Sequence, residues 1–273
     1  MLTFTVDTTQ SLKEFTENNY AQASFYWSYL LKNKEIKVNG KKVGKNVPLA
    51  VGDTVTYYLS KKQMEKPAFH TVYQDENLLI IDKESGVNSE AVYAELFRTY
   101  GETCSFIHRL DRNTRGLMAF ALNENAETSL LNAFKQRTVE KKYRALCFGN
   151  FSNSHDLLKA YLKKDEESAT VRIFDSPIKG AEEIITEYQV IFVRDGVAEV
   201  EITLHTGKTH QIRAHLAHIG CPVVGDMKYG DTAQNKAKNL ARQCLIAKEL
   251  TFHCNDTLSY LNGRTFVSKF DFD

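Results

Sequence analysis

Two short runs without a polar residue, 78–81 (LLII) and 117–122 (LMAFAL), constrain this chain more than any other feature. Neither alternates, so each reads as a buried strand covered on both faces. The first is framed by a turn at 75–77 and by Gly86. The second is entered abruptly, at Gly116, from the charged stretch HRLDRNTRG. That stretch sets one carboxylate, Asp111, among His108, Arg109, Arg112 and Arg115. Nearby cations favour the ionised form of a carboxyl group, which keeps Asp111 available as an anion and nucleophile even when partly buried. A solvated turn with structural ion pairs accounts equally well for the tetrapeptide taken alone.

The remaining pattern mixes helices and strands without regular alternation. Residues 88–101 read as a helix, and Asn123 caps a second one with Leu130, Leu131 and Phe134 on one face. Tyr143, Ala145 and Cys147 alternate along a strand, and further strands fall near 186–193 and 198–207. The fold class expected is α+β, with a central mixed, largely antiparallel sheet. At 273 residues the chain has room for one large and one small domain. Five cysteines without a C-x-x-C pair argue against a disulfide framework or a zinc ribbon and for a reducing compartment. No secretory pattern or membrane-length apolar run is present, so a cytoplasmic protein is expected.

The net charge of +1 hides an asymmetry. Residues 1–66 hold ten lysines against six acids, a balance of +4, while the remainder holds 25 bases against 28 acids. Within this front segment, helical stretches carry Leu12, Phe15, Tyr26, Leu30 and Leu31 at core spacing. An Asn39-Gly40 hairpin bearing Lys41 and Lys42 follows, then a Gly-Asp turn. The combination resembles the S-four type RNA-binding domain. Polar residues 60–68 mark the linker, giving a domain of 1–66 and a second of 67–273.

A second dense cluster spans residues 204–230. His205, His210, His215 and His218 invite a metal reading, but His210 and His215 are five apart, which does not place two ligands on one helical face. The Thr206-Gly207-Lys208-Thr209 turn leads into a helix, a start suited to holding phosphate, with Arg213 free to reach an internal partner.

HRLDRNTRG, VEKKYRAL, LHTGKTHQIRAHLAHIGCPVVGDMKYG and RQCLIA occur in one order at fitting separations. As a set they resemble the RluA-type pseudouridine synthase family over roughly residues 70–255. The resemblance implies a catalytic aspartate at Asp111. It implies a tyrosine beside the target base, and candidate proton acceptor, at Tyr143, and an arginine that orients the aspartate at Arg213. It places Leu245 on the active-site floor, and His108, Arg109, Arg112, Thr114, Lys208 and His210 in contact with RNA. The reaction it implies, uridine to pseudouridine, needs neither cofactor nor metal. The partner implied is RNA, large-subunit ribosomal RNA first and transfer RNA second, with no membrane and no obligate protein partner.

The sequence departs from that pattern at Lys83-Glu84-Ser85-Gly86, which lacks a proline, and after Gly86, where a histidine is missing. It departs again at Lys208, where arginine is common, and at Arg115, where serine is usual. Arg115 is expected to set a further cation near Asp111 or on the RNA-facing rim. Two other classes stay open on sequence grounds: a catalytically silent RNA-binding or ribosome-assembly factor, and a metal-dependent hydrolase built on the histidines.

Overall fold

The two apolar runs lie side by side in the middle of one large sheet. In the computed structural model, which describes residues 1–165, 170–240 and 242–272, the first is the strand Leu78–Lys83 and the second the strand Arg115–Ala121, paired antiparallel. Successive residues enter opposite cores. Leu79, Ile81, Met118 and Phe120 join one, under the helices Ser89–Tyr100 and Gln211–His218. Leu78, Ile80, Leu117 and Ala119 join the other, with Ala126 and Leu130 of the helix Glu124–Gln136. Burial on both faces is why neither run alternates.

Among the described residues the sheet has eleven strands. From Arg115–Ala121 its order runs through Leu245–Phe252, Val139–Phe148, Val197–Leu204, Glu182–Arg194 and His155–Asp165 to Thr170–Phe174. The Arg115–Ala121 and Leu245–Phe252 pair is parallel, and the other pairings are antiparallel, so the sheet is mixed and largely antiparallel as expected. Gly116 is what lets that parallel pair close up. Its φ is +120°, and a Cβ there would meet the Ala247 carbonyl oxygen at 2.3 Å. Only glycine tolerates both the backbone angle and the approach.

The front segment has its own sheet, ordered Leu2–Thr5, Thr54–Tyr57, Ile36–Val38, Lys41–Val43, and its own core of Leu12, Phe15, Leu30, Ile36, Val55 and Tyr57. Asn39 (φ +49°) and Gly40 (φ +77°) turn the hairpin between Ile36–Val38 and Lys41–Val43, with both φ positive as a type I′ turn requires. Its helical part is three pieces, Leu12–Asn19, Ala21–Phe25 and Trp27–Lys32. Residues 60–68 also differ from a plain polar linker. Ser60 and Gln63 form a capping box that starts the one-turn helix Lys61–Met64.

This segment does not hang free. Ala21 is buried in the same core as Val87 and Ala91. Arg112 pairs with Glu17, Asn88 Nδ2 donates to Asn18 Oδ1 at 3.0 Å, and Arg98 Nη1 donates to the Asn19 carbonyl at 3.3 Å. Among the described residues no helix is long and apolar enough to cross a membrane.

Candidate active site

Asp111 sits in a loop clamped from behind by residues 83–89. The Lys83 ammonium is fully buried and donates to the carbonyls of Glu84, Val87 and Arg112 at 3.0, 2.9 and 3.2 Å. Burial pulls its ionisation down to about 7, against the attraction of Asp111. Ser89 Oγ accepts from the Leu110 amide at 3.0 Å and donates to the Leu110 carbonyl at 2.8 Å. Ser85 Oγ donates to the Asn113 carbonyl at 2.9 Å. The loop's main chain is thereby held on both sides of Asp111.

Among the described residues the Asp111 carboxylate meets one guanidinium, and His210 Nε2 lies 4.0 Å from its Oδ1. Arg213 Nη1 donates to Asp111 Oδ2 at 2.8 Å. Arg213 stands on the short helix Gln211–His218 and is itself held by Asp226, a residue that its own stretch of sequence does not single out. Arg213 Nε and Nη2 donate to Asp226 Oδ2 and Oδ1 at 2.6 and 3.0 Å, a bidentate pair. The Lys228 and Tyr229 amides complete Asp226's shell at 2.8 and 3.1 Å. Burial alone would raise the Asp226 carboxyl, but the Arg213 bonds and these amides outweigh it and hold it below the usual range. Burial likewise works against the Arg213 charge, and Asp226 together with Asp111 more than restores it. Tyr229 adds its ring, 5.2 Å from the Arg213 guanidinium carbon, and its hydroxyl pairs with His210 Nδ1 at 2.8 Å. The signal for Asp226 and Tyr229 is present in GDMKYG, but nothing local says which base the aspartate faces.

Asp111 and Arg213 open onto a cavity of about 370 Å³. It is lined by nine of the expected residues: Asp111, Tyr143, Arg213, His108, Arg109, Thr114, Lys208, His210 and Leu245. Tyr143 reaches it from the strand Val139–Phe148, where a register shift against the neighbouring strand falls between Lys142 and Tyr143. Burial, then the Asp111 charge, pushes the Tyr143 hydroxyl far above its ordinary value. Tyr143 therefore stands as a neutral phenol. Leu245 is buried at the start of the strand that pairs parallel with Arg115–Ala121.

Several expected cations take other roles. His108 is neutral: the Ala119 amide donates to its Nε2 at 3.0 Å, and its ring stacks on Phe134 at 4.4 Å. Burial, with Lys141 nearby, drops its ionisation to about 3. Arg112 lies away from the cavity. Its Nε donates to the Gly86 carbonyl at 3.1 Å and its Nη1 pairs with Glu17, so it fastens the front segment and does not line the catalytic cavity. Arg115 turns to the C-terminal tail, donating to the Asp271 carbonyl at 2.6 Å and lying over Phe270, and it does not line the Asp111 cavity. Lys208 pairs with Glu182, and its amide donates to Gln211 Oε1 at 3.1 Å, so the turn expected to hold phosphate is occupied by the protein's own groups. Lys41 and Lys42 are exposed on the front hairpin and are not among the cavity residues.

The four histidines diverge. His205 pairs with Glu187, His210 with Tyr229, His215 with Thr186 and His218 with Asp175. Among the described residues no group of three or more metal-ligating side chains converges.

A carboxylate oriented by a doubly anchored arginine, with His210 Nε2 4.0 Å from its Oδ1 and a buried tyrosine and leucine on the same cavity, defines an enzyme pocket. Comparison with known proteins agrees. The profile of the RNA pseudouridylate synthase family matches residues 29–218, a span that includes Asp111, Tyr143 and Arg213. The ribosomal large subunit pseudouridine synthase C of Rickettsia conorii is 31% identical over 229 residues, covering 74% of this chain and 75% of that protein. Its namesake in Vibrio vulnificus is 30% identical over 246 residues, covering 81% and 77%. Among solved structures, human RNA Pseudouridylate Synthase Domain Containing 1 superposes with a TM-score of 0.60 at 28% identity, covering 68% of this chain and 79% of that one. The chain belongs to the RNA pseudouridylate synthase family. It is an RNA pseudouridine synthase, an isomerase of uridine in RNA.

Proposed function

We propose that Asp111 acts on the reacting nucleoside, that Arg213 positions it, and that the RNA is that of the large ribosomal subunit. The observation that carries the site assignment is the 2.8 Å contact of Arg213 Nη1 with Asp111 Oδ2, at the mouth of a cavity floored by Tyr143 and Leu245. In the reaction the bond from the ribose to N1 of uracil breaks, the ring turns, and ribose joins C5. The proton leaves C5 and N1 gains one, so nothing is oxidised and no group is lost. The base must be flipped out of its RNA, at a few kcal/mol. Tyr143 and Leu245 then serve as packing surfaces for the flipped ring, and the RNA filling the cavity keeps water from the detached intermediate.

Two relatives named for the large ribosomal subunit support that choice of RNA. The lysine-bearing front hairpin, with its resemblance to the S-four type domain, supports a second contact with structured RNA beyond the pocket, and the setting is the cytoplasm. Mapping pseudouridines in cells with and without the gene tests the reading. Loss of discrete sites in large-subunit RNA, restored by the wild-type gene and not by Asp111→Asn, is the expected result. Loss confined to transfer RNA would overturn the choice of RNA.

A further inference from the structure

Of the basic residues on the catalytic cavity, most are already paired. Arg109 meets Glu90, Lys208 meets Glu182, His205 meets Glu187, and Arg213 meets both Asp111 and Asp226. Arg137 and Lys141 are different: among the described residues neither side chain makes an ion pair or hydrogen bond. Arg137 caps the helix Glu124–Gln136 in the left-handed conformation (φ +62°) and is exposed. The Lys141 ammonium rests 5.9 Å from the Phe134 ring centroid and lies beside Gly207. Burial, then the Arg137 charge, pulls Lys141 below its ordinary value, so the fold holds two like charges together without an acid to relieve them.

These two residues also mark a boundary. A second cavity, of about 780 Å³, lies on the sheet face, and Arg137 and Lys141 line both cavities. The acids on its walls are answered from within. Glu187 takes His155 and His205, each at 2.8 Å, and Glu201 takes Lys142 at 3.2 Å. Glu140, the third acid on that wall, is held more loosely, 4.0 Å from Lys142 Nζ, so among the described residues an anion at the boundary would meet two cations without ion pairs and one loosely held carboxylate.

We propose that Lys141 and Arg137 grip an RNA backbone phosphate adjoining the uridine in the catalytic cavity, and that the single strand leaves across the sheet-face groove toward His155 and Lys159. This rests on RNA being the substrate of the Asp111 pocket. The occupant is single-stranded because one phosphate at the junction continues from a base already flipped into the pocket, and duplex recognition would need no such opening.

The test measures binding of a short fluorescent oligouridylate by the full chain against salt, for wild type, Lys141→Gln, Arg137→Gln and Lys141→Arg. Pseudouridine formation is followed in parallel on RNA extracted from cells lacking the gene. Each neutral variant should flatten the log–log salt slope by part of about 0.7, the value for one neutralised phosphate on a single strand, and the two together by the whole of it. KM should rise while kcat stays within about twofold, and Lys141→Arg should restore both. Unchanged slopes overturn the assignment, as does a loss confined to kcat. If Lys141→Gln does not fold, the exposed Arg137→Gln carries the comparison. A wild type that binds oligouridylate yet forms no pseudouridine overturns the reading of the reaction, while the slopes still decide the phosphate contact.

Discussion

Asp226 grips Arg213 through Nε and Nη2, and that grip leaves Nη1 as the nitrogen directed at Asp111. The orientation of the Asp111 carboxylate is thus set by a second aspartate that does not line the pocket. Asp226 is 1% exposed and Arg213 7%. Removing one partner of such a buried pair typically costs about 3–5 kcal/mol, because the other charge stays buried and uncompensated. Asp226→Ala should lower stability by that order in urea denaturation and reduce kcat together with it. Asp226→Asn, which keeps one acceptor oxygen, should recover part of the stability while kcat stays depressed. A variant with wild-type kcat would deny Asp226 a positioning role.

Asp111→Asn should abolish isomerisation and leave the fold intact. Arg213 would remain held by Asp226, so no buried charge is orphaned. A single-turnover rate below about one hundredth of wild type, with unchanged affinity for RNA, is expected on the scale of residues central to a reaction. A residual rate above that would remove Asp111 from its assigned place.

Acid should destabilise the protein through His108. Its folded ionisation lies near 3, well below the ordinary 6.5, so the folded state holds it neutral while the unfolded chain takes up a proton. The contribution is fully present above about pH 6.5 and is lost as pH falls from there toward 3, where the unfolded state binds more protons. His215, drawn by burial to about 4, acts in the same direction. Each such group steepens the loss by at most about 1.4 kcal/mol per pH unit. His108→Asn should flatten the stability profile between pH 6.5 and 4 relative to wild type in urea denaturation. A profile of unchanged slope would mean that His108 is not held neutral.

Charge reversal at Lys41 and Lys42 should weaken binding of structured RNA and flatten its salt dependence, since each lysine paired with a phosphate contributes just under one unit of slope. The Asp111 cavity is not lined by these residues, so kcat at saturating RNA should hold. Identical affinity and salt slope in filter binding would reassign the front segment to packing. Its buried Ala21 and the Glu17–Arg112 pair already give it that role in part.

Local chemistry was legible in the sequence, and partner choice was not. The apolar runs at 78–81 and 117–122, the Asn123 cap and the Asn39-Gly40 turn each depend on residues a few positions apart, and each appears where the chain reads it. Asp111, Tyr143 and Arg213 were legible as a motif set, and the fold brings them to one cavity. What a single charge faces is decided elsewhere. Arg109, Arg112 and Arg115 stand within seven residues of one another, yet they reach Glu90, Glu17 and the Asp271 carbonyl. The arginine that does meet Asp111 comes from 102 residues further on, and the aspartate aiming it from 13 beyond that. A loop sends successive side chains in different directions, whereas strands and a short helix packed on two cores hold theirs in place. The sequence by itself therefore determined where strands and turns form and singled out the groups proposed for the chemistry. Only the tertiary structure decided which cation is aimed at the carboxylate, which are neutralised by the protein's own acids, and that, among the described residues, Lys141 and Arg137 are left without an ion pair at the boundary between the two cavities.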